Sequence, residues 1–508
     1  MIPLQPGAHI HLSGIGGTAM SALAGLLQEE GYCVTGSDTE IYPPVSTLLA
    51  DLGIPVFKGY KASNLVRTPH DADPRRSSEH LTSLHAALSE DSVELSPDLV
   101  VIGNALSRGN EEVETVLDRK LAYASMPEAL RELFLRGRET IVVAGTHGKT
   151  TVTSLLAWIF QSAGQDPGFL IGGVPSNFSR SFRKGAGQHF ILEGDEYDTA
   201  FFDKGPKFLH YRPDSVILTS VEYDHADIYS DLNAVLTAFR RLVNLVPRRG
   251  CIVAWAESET VRQCLEHSYC AVETFGLEEG DWRASGIACS GDGTTFSVDY
   301  HGKLMGRLQT SLCGEHNVMN VLAAVAMSWR YGISWDAMER AVESFRGVRR
   351  RMEVVGEEGG VVVIDDFAHH PTAIRETLRA GRARFPSRRL WALLEPRSHT
   401  LRRNVLEAQL VEALALADGV VVADVYHKEK IPEPERLKLE QVLEGLLHRG
   451  ILAEVGGSAD QIVEAILPRL QSGDVVIIMS NGAFGGIHQK LLQALAGRPI
   501  VDSPIVVR

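Results

Sequence analysis

The chain is expected to be an α/β protein built from three units in series, and three observations predict this. The first is length, because 508 residues exceed what one hydrophobic core organises and roughly 100–200 residues per domain makes about three the prior. The second is a pattern that occurs three times: a short apolar strand, a tight turn, then a segment of helical period. The third is composition, 44% apolar and 22% charged, which supplies apolar side chains for several cores. Apolar strands alternating with helices predict parallel sheets covered on both faces.

The first pattern is the strand His9-Ile10-His11-Leu12, the turn Ser13-Gly14-Ile15-Gly16-Gly17 and a helix from Thr18 to about Glu30. Gly31 stops that helix, and Tyr32-Cys33-Val34-Thr35 begins the next strand. Gly14-x-Gly16-x-x-Ala19, with Asp38 closing the next strand, has the form of a dinucleotide-binding turn. Its glycines let the backbone approach a pyrophosphate at a helix N-terminus, and the carboxylate takes a ribose hydroxyl. A purely steric βα turn explains the same residues, and both readings stand at this point. His9 and His11 share one strand face, where a zinc pair is a minor alternative. The polar stretch Arg67–Leu95, with Pro69 and Pro74, reads as a surface excursion. The basic segment Arg131–Glu139 marks the first junction, giving a unit of residues 1–138.

The second pattern is Thr140-Ile141-Val142-Val143-Ala144, the turn Gly145-Thr146-His147-Gly148, and a helix from Lys149 to about Ala163. Gly148-Lys149-Thr150-Thr151 keeps the end of the phosphate-loop pattern, in which backbone amides cradle phosphates, the lysine reaches the β/γ-phosphates and the hydroxyl holds Mg²⁺. Val143 stands where the longer form of that loop has its first glycine. Carboxylates for a metal–triphosphate site are offered at two later strand ends, Glu193-Gly194-Asp195-Glu196 and Glu222-Tyr223-Asp224-His225, because ligands collect at the carboxyl ends of parallel strands. Gly314-Glu315-His316-Asn317, with Asn320, opens a further helix. There a capping role for Asn317 competes with a nucleotide contact. Arg346–Arg351 marks the second junction, leaving units of residues 139–345 and 346–508. The third pattern is Val361–Ile364, then Asp365-Asp366-Phe367-Ala368-His369-His370, with Pro371 opening a helix.

Lys and Arg number 50 against 64 Asp and Glu, a net charge of −14. That balance argues against nucleic-acid or anionic-membrane partners, which select basic surfaces. No apolar run is long enough to span a bilayer, and the N-terminus lacks the basic region of a signal peptide. Six scattered cysteines without a CxxC pair fit reduced thiols, so a cytoplasmic location is expected. Two other function classes fit part of the pattern. An NAD-dependent oxidoreductase explains Gly14, Gly16 and Asp38 but leaves the phosphate loop idle. A non-catalytic nucleotide-binding protein keeps that loop without its chemistry.

Taken together, the loops Ser13–Met20, Gly145–Thr151, Gly314–Asn317 with Asn320, Arg349–Arg351 and Asp365–Pro371 resemble the Mur ligases, the ATP-dependent amide-forming enzymes of peptidoglycan synthesis. The resemblance implies a Rossmann-like UDP-sugar domain, a central phosphate-loop ATPase domain and a Rossmann-like domain for the incoming amine. Asp195–Lys204, Glu222–Asp227, Leu394–Ser398 and Ser480–Lys490 are most similar to the branch that joins the tripeptide L-Ala-γ-D-Glu-meso-diaminopimelate to UDP-N-acetylmuramate during recycling. The branch that adds L-alanine alone is the alternative. The implied chemistry is an acyl phosphate formed from ATP and captured by the amine. By resemblance, Lys149, Glu193 and His225 are catalytic, and Thr150, Glu193 and His225 hold Mg²⁺. The resemblance assigns ATP to Gly145, Thr146, His147, Gly148, Lys149, Thr150, Thr151, His316, Asn317, Asn320, Arg350 (or Arg351) and Asp366. Substrates fall to Gly14, Ile15, Gly16, Gly17, Ser37, Asp38, Asn104, Lys204 and Arg397. Asp366 is alternatively a hinge contact, Arg397 alternatively a partner of Glu395, and His399 departs from the asparagine usual in the family.

Overall fold

A computed structural model describes residues 4–66, 96–291 and 293–497; the expected excursion at Arg67–Leu95 lies outside these. The architecture is α/β throughout, with three main sheets in chain order. The first is parallel, in the order Val56–Lys58, Cys33–Asp38, His9–Ser13, Leu99–Ile102, Tyr123–Ser125. Its central strand is buried along its whole length, so the two histidines must find partners inside. His9 Nε2 and His11 Nδ1 lie 2.8 and 2.9 Å from Thr35 Oγ1, and His11 Nε2 lies 3.6 Å from Glu112. Hydrogen bonding, not a zinc pair, accounts for both rings.

The second sheet has ten strands. It is parallel from Trp282–Ser290 through Ala271–Gly276, Cys251–Trp255, Ser215–Leu218, Glu139–Ala144 and His189–Gly194 to Gly168–Leu170. Antiparallel strands close both edges, Gly293–Tyr300 and Lys303–Thr310 on one side and Phe182–Arg183 on the other. These edges were not foreseen; along Gly293–Tyr300 buried residues alternate with half-buried ones, the pattern of a strand with one wetter face. The third sheet runs Glu353–Glu358, Val361–Asp366, Val475–Met479, Leu390–Leu394, Gly419–Ala423, Leu452–Gly457, and only its first strand is antiparallel.

Packing joins the units unequally. One apolar cluster runs from Ile10 and Leu12 through Phe182 and Phe190 to Val216, so the first two sheets share a core. The helix Thr18–Glu29 contributes Gly25 there, where a Cβ would collide with the Phe182 ring. The third sheet carries separate clusters, one centred on Ile364, Ala392 and Ile477 and the other on Val363, Leu393 and Ile478. Alternate residues of the same strands feed the two, as period-two geometry requires.

Register then positions the chemistry. Ala144 pairs with Leu218 on one side and Gly194 on the other. The loops after these strands therefore leave the sheet side by side at their carboxyl ends.

Candidate active site

The phosphate loop is built by its neighbours as well as by its glycines. Gly148 caps the helix Lys149–Ser162 with φ 81, a left-handed conformation costly for other residues. Thr146 N donates to Ser220 O at 2.8 Å, His147 N to Ser220 Oγ at 3.0 Å, and Glu222 N to Thr146 Oγ1 at 2.8 Å. Thr150 and Thr151 are buried in the first helical turn.

Lys149 Nζ folds back onto the loop, donating to Gly145 O at 2.6 Å and to both Glu196 oxygens at 2.8 and 3.1 Å. Burial opposes its charge, but Glu196, Asp195 and Glu193 outweigh that and raise its pKa. His225, with φ 54, places Nε2 3.4 Å from Glu196. Burial disfavours the imidazolium, yet the Glu196 contact and Asp224 prevail and push the ring up to about 9.

Glu193 also bears on the lysine's charge. It accepts from Thr150 Oγ1 at 3.0 Å and from Gly172 N at 2.8 Å, and burial raises its pKa. The expected metal trio therefore divides: Thr150 meets Glu193, whereas His225 gathers with Asp195 and Glu196, whose ligand atoms lie within 4.8 Å of one another. Both groups are rich in carboxylate and hydroxyl oxygen, the donors a hard divalent ion such as Mg²⁺ prefers.

Residues expected at the nucleotide divide similarly. Asn317 and Asn320 are buried at the start of the helix Glu315–Arg330; Asn317 donates to Cys313 O at 2.8 Å and Asn320 to Asn317 Oδ1 at 3.1 Å. His316 beside them is held neutral by burial, its pKa down to about 4, and its Nδ1 has no hydrogen-bond partner. Arg350, in contrast, is committed inside the third unit, bonding Asp365 at 3.1 Å, Ser480 O at 2.7 Å and Gly482 O at 2.8 Å. Arg351 is the one that turns toward the phosphate loop, 3.5 Å from Thr150 Oγ1. Asp366 accepts from Met352 N, Ala368 N and Thr377 Oγ1. Both its oxygens are used, which favours the hinge alternative over a ribose contact.

In the first unit Gly14 N and Ile15 N donate to Ser37 O, and Gly16 N donates to Asp38 Oδ2 at 2.8 Å. Asp38 thus braces the turn. Gly17 caps the helix Thr18–Glu29, and the Ser37 hydroxyl is turned inward to Glu112 at 2.6 Å.

A cavity of about 490 Å³ opens where the units meet. Asn104, Asp195, His225 and Arg397 line it together with Lys207, His399, Arg402 and Tyr426. Arg397 stacks 3.8 Å over the Tyr426 ring and stands 3.7 Å from Glu395, so the Glu395 pairing is loose and coexists with access to the cavity. Lys204 instead pairs with Asp198 at 2.7 Å and does not line the cavity; Lys207, bonded to Asp195 at 2.6 Å, does. Sequence reasoning missed Lys207, Arg402 and Tyr426, because their convergence depends on how two units meet. Glu196 was visible as part of an acidic cluster, but nothing local marked it as the lysine's partner.

Three family profiles match the chain: "Mur ligase family, catalytic domain" over residues 9–138, "Mur ligase middle domain" over 143–328 and "Mur ligase, glutamate ligase domain" over 350–482. The chain is 40% identical over 489 residues, 96% of its length and 98% of the relative's, to the UDP-N-acetylmuramate–L-alanyl-γ-D-glutamyl-meso-2,6-diaminoheptandioate ligase of Escherichia coli. It is 30% identical over 486 residues, 95% of the chain and 97% of the relative, to the UDP-N-acetylmuramate–L-alanine ligase of Alkaliphilus metalliredigens. The crystal structure of a murein peptide ligase from Psychrobacter arcticus superposes with TM-score 0.70 at 36% identity, covering 97% of this chain and 100% of that one.

Proposed function

The chain belongs to the Mur ligase family, and we propose that it joins L-Ala-γ-D-Glu-meso-diaminopimelate to UDP-N-acetylmuramate at the expense of ATP. The observation that carries this reading is the match to the tripeptide ligase along nearly the full length of both chains. The L-alanine alternative has the weaker match. The cavity agrees with a polyanionic acceptor: Arg397, Arg402 and Lys207 bring three cationic side chains to its wall. A peptide carrying several carboxylates needs such charge, and arginine can bind a carboxylate through two parallel hydrogen bonds.

A carboxylate repels an amine nucleophile, so the muramyl carboxylate first takes the γ-phosphoryl group of ATP. ADP leaves, and the peptide amine then attacks the acyl carbon, forming the amide and expelling phosphate. In this sequence the protein's part is position and charge. Lys149, already desolvated at the loop, is placed to leave Glu196 for the terminal phosphates. The loop amides and the N-terminus of the helix Lys149–Ser162 add fixed positive potential. Asn317 and His316 offer an amide and an imidazole on the adenine side, Arg351 a cation from the third unit, and Gly14–Gly17 an anion-approach turn for the UDP moiety. Thr150 with Glu193, and Asp195 and Glu196 with His225, would hold Mg²⁺. Bound there, it would neutralise charge between the phosphate and carboxylate anions.

We place the unit boundaries at residues 1–138, 139–345 and 346–508 and the reaction in the cytoplasm. Among the described residues no helix is long and apolar enough to cross a membrane. The deciding experiment offers the purified chain UDP-N-acetylmuramate and Mg-ATP with either the tripeptide or L-alanine and weighs the products by mass spectrometry. Preferential formation of the UDP-N-acetylmuramyl tripeptide is expected. Equal or better use of L-alanine would overturn the acceptor assignment.

A further inference from the structure

A second group of ligand-type side chains lies at the contact between the phosphate loop and the third unit, outside the carboxylate-rich cluster at Lys149. It comprises His147 from the loop, Glu222 from the segment after the strand Ser215–Leu218, and His370 from the turn before Pro371. His147 Nε2 is 3.5 Å and His370 Nδ1 3.8 Å from Glu222 Oε2, and all the ligand atoms lie within 4.8 Å of one another. Bonds of about 2.0–2.1 Å to a tetrahedral ion set neighbouring ligand atoms roughly 3.3 Å apart. The observed spacings therefore need only small side-chain movements.

We propose that His147, Glu222 and His370 form a binding site for a divalent transition ion of the zinc class, bridging the phosphate loop to the third unit. The donor set distinguishes it from the Mg²⁺ positions: two imidazoles and one carboxylate suit zinc, while Mg²⁺ demands six oxygen ligands. Each ligand is also in a suitable state. His147 Nε2 is buried and makes no hydrogen bond. His370 Nε2 lies 3.3 Å from Tyr223 O, so a proton on that nitrogen donates to the carbonyl and leaves Nδ1 unprotonated, 3.8 Å from Glu222 Oε2. A carbonyl behind the ring is the usual orienting partner of a metal-bound histidine. Burial keeps the His370 ring neutral, its pKa lowered to about 4. Thr372 Oγ1 donates to Glu222 at 2.7 Å as an outer support. The contact an ion would replace is the long one, Thr372 N to His370 Nδ1 at 3.3 Å. Three protein ligands leave a fourth position for water.

The test uses the full chain without nucleotide, titrated with Co²⁺ as a coloured substitute for zinc and then challenged with Zn²⁺. Tetrahedral Co²⁺ absorbs in the visible far more strongly than the octahedral ion. One equivalent of strongly absorbing Co²⁺ that Zn²⁺ displaces is expected. Glu222→Gln keeps the shape of the site and should weaken Co²⁺ at least about ten-fold, with His370→Ala doing the same. Glu196→Gln, which cripples the other cluster, should leave the band in place. Absence of a tetrahedral band would overturn the proposal. So would a band that survives Glu222→Gln and disappears in Glu196→Gln.

Discussion

Lys149 is positioned before any phosphate arrives, because Glu196 and the Gly145 carbonyl hold its ammonium group at the loop. Losing a cation from a centre where charge develops costs on the order of 10²–10³ in rate. Lys149→Ala is therefore expected to lose ligation by about that factor while its circular dichroism remains that of a folded protein. Near-normal turnover would sink the assignment. The neighbouring arginines should separate by experiment. Arg350 holds Asp365 and two carbonyls within the third unit, so Arg350→Ala should lower the melting temperature. Arg351 faces Thr150, so Arg351→Ala should raise KM for ATP with little change in melting. The reverse pattern would return the phosphate contact to Arg350. At the acceptor, Arg397 stacks on Tyr426 in the cavity wall. Arg397→Ala is expected to lower kcat/KM for the tripeptide more than for L-alanine, and equal losses would remove it from acceptor selection.

The helix Glu111–Asp118 shows how one buried charge can organise a unit. Glu112, fully buried, accepts from Ser13 Oγ at 2.5 Å, Ser37 Oγ at 2.6 Å and Asn64 Nδ2 at 2.7 Å, with His11 at 3.6 Å. It thereby ties this helix to the two strands that carry the UDP-loop candidates. Burial raises its pKa, but His11, Ser13 and Ser37 more than compensate, and the net shift is downward. A depressed carboxylate adds stability above the ordinary carboxylate range, and this contribution is lost as pH falls through its folded value. Glu112→Ala leaves several buried polar groups without their partner and should cost about 3–5 kcal/mol. The check is the midpoint of the first denaturant transition at neutral pH. An unchanged midpoint would contradict the organising role, and the difference from the parent should shrink in acid.

Across the whole molecule, a shared core joins the first two sheets, while the third unit meets the second through polar contacts at the site. Thr400 Oγ1 donates to Asp224 at 2.5 Å and accepts from Ala226 N at 3.3 Å, and Thr372 reaches Glu222. Such contacts suit a surface that opens and closes, and closure keeps water from an acyl phosphate. Small-angle scattering should show a smaller radius of gyration when Mg-ATP and UDP-N-acetylmuramate are both bound. Thr400→Val should reduce that change, and a radius indifferent to both substrates would exclude closure as part of the cycle.

The three βα beginnings, the phosphate loop and the family resemblance are local properties, since a strand, a turn and a helix declare themselves through spacing, glycine and capping within about thirty residues. For that reason Gly145–Thr151 and Gly14–Gly17 were legible without coordinates. Contacts between distant segments were not. Nothing near Glu196 in the chain announces Lys149, and nothing near Arg402 announces Lys207. The preference for Arg351 over Arg350 at the phosphate loop depends on Arg350 being occupied by Asp365 and by carbonyls 130 and 132 residues away. Sequence alone determined which chemistry the chain carries, because that chemistry resides in short motifs. Tertiary structure decided which charges face one another, because burial and pairing depend on how strand registers and whole units meet.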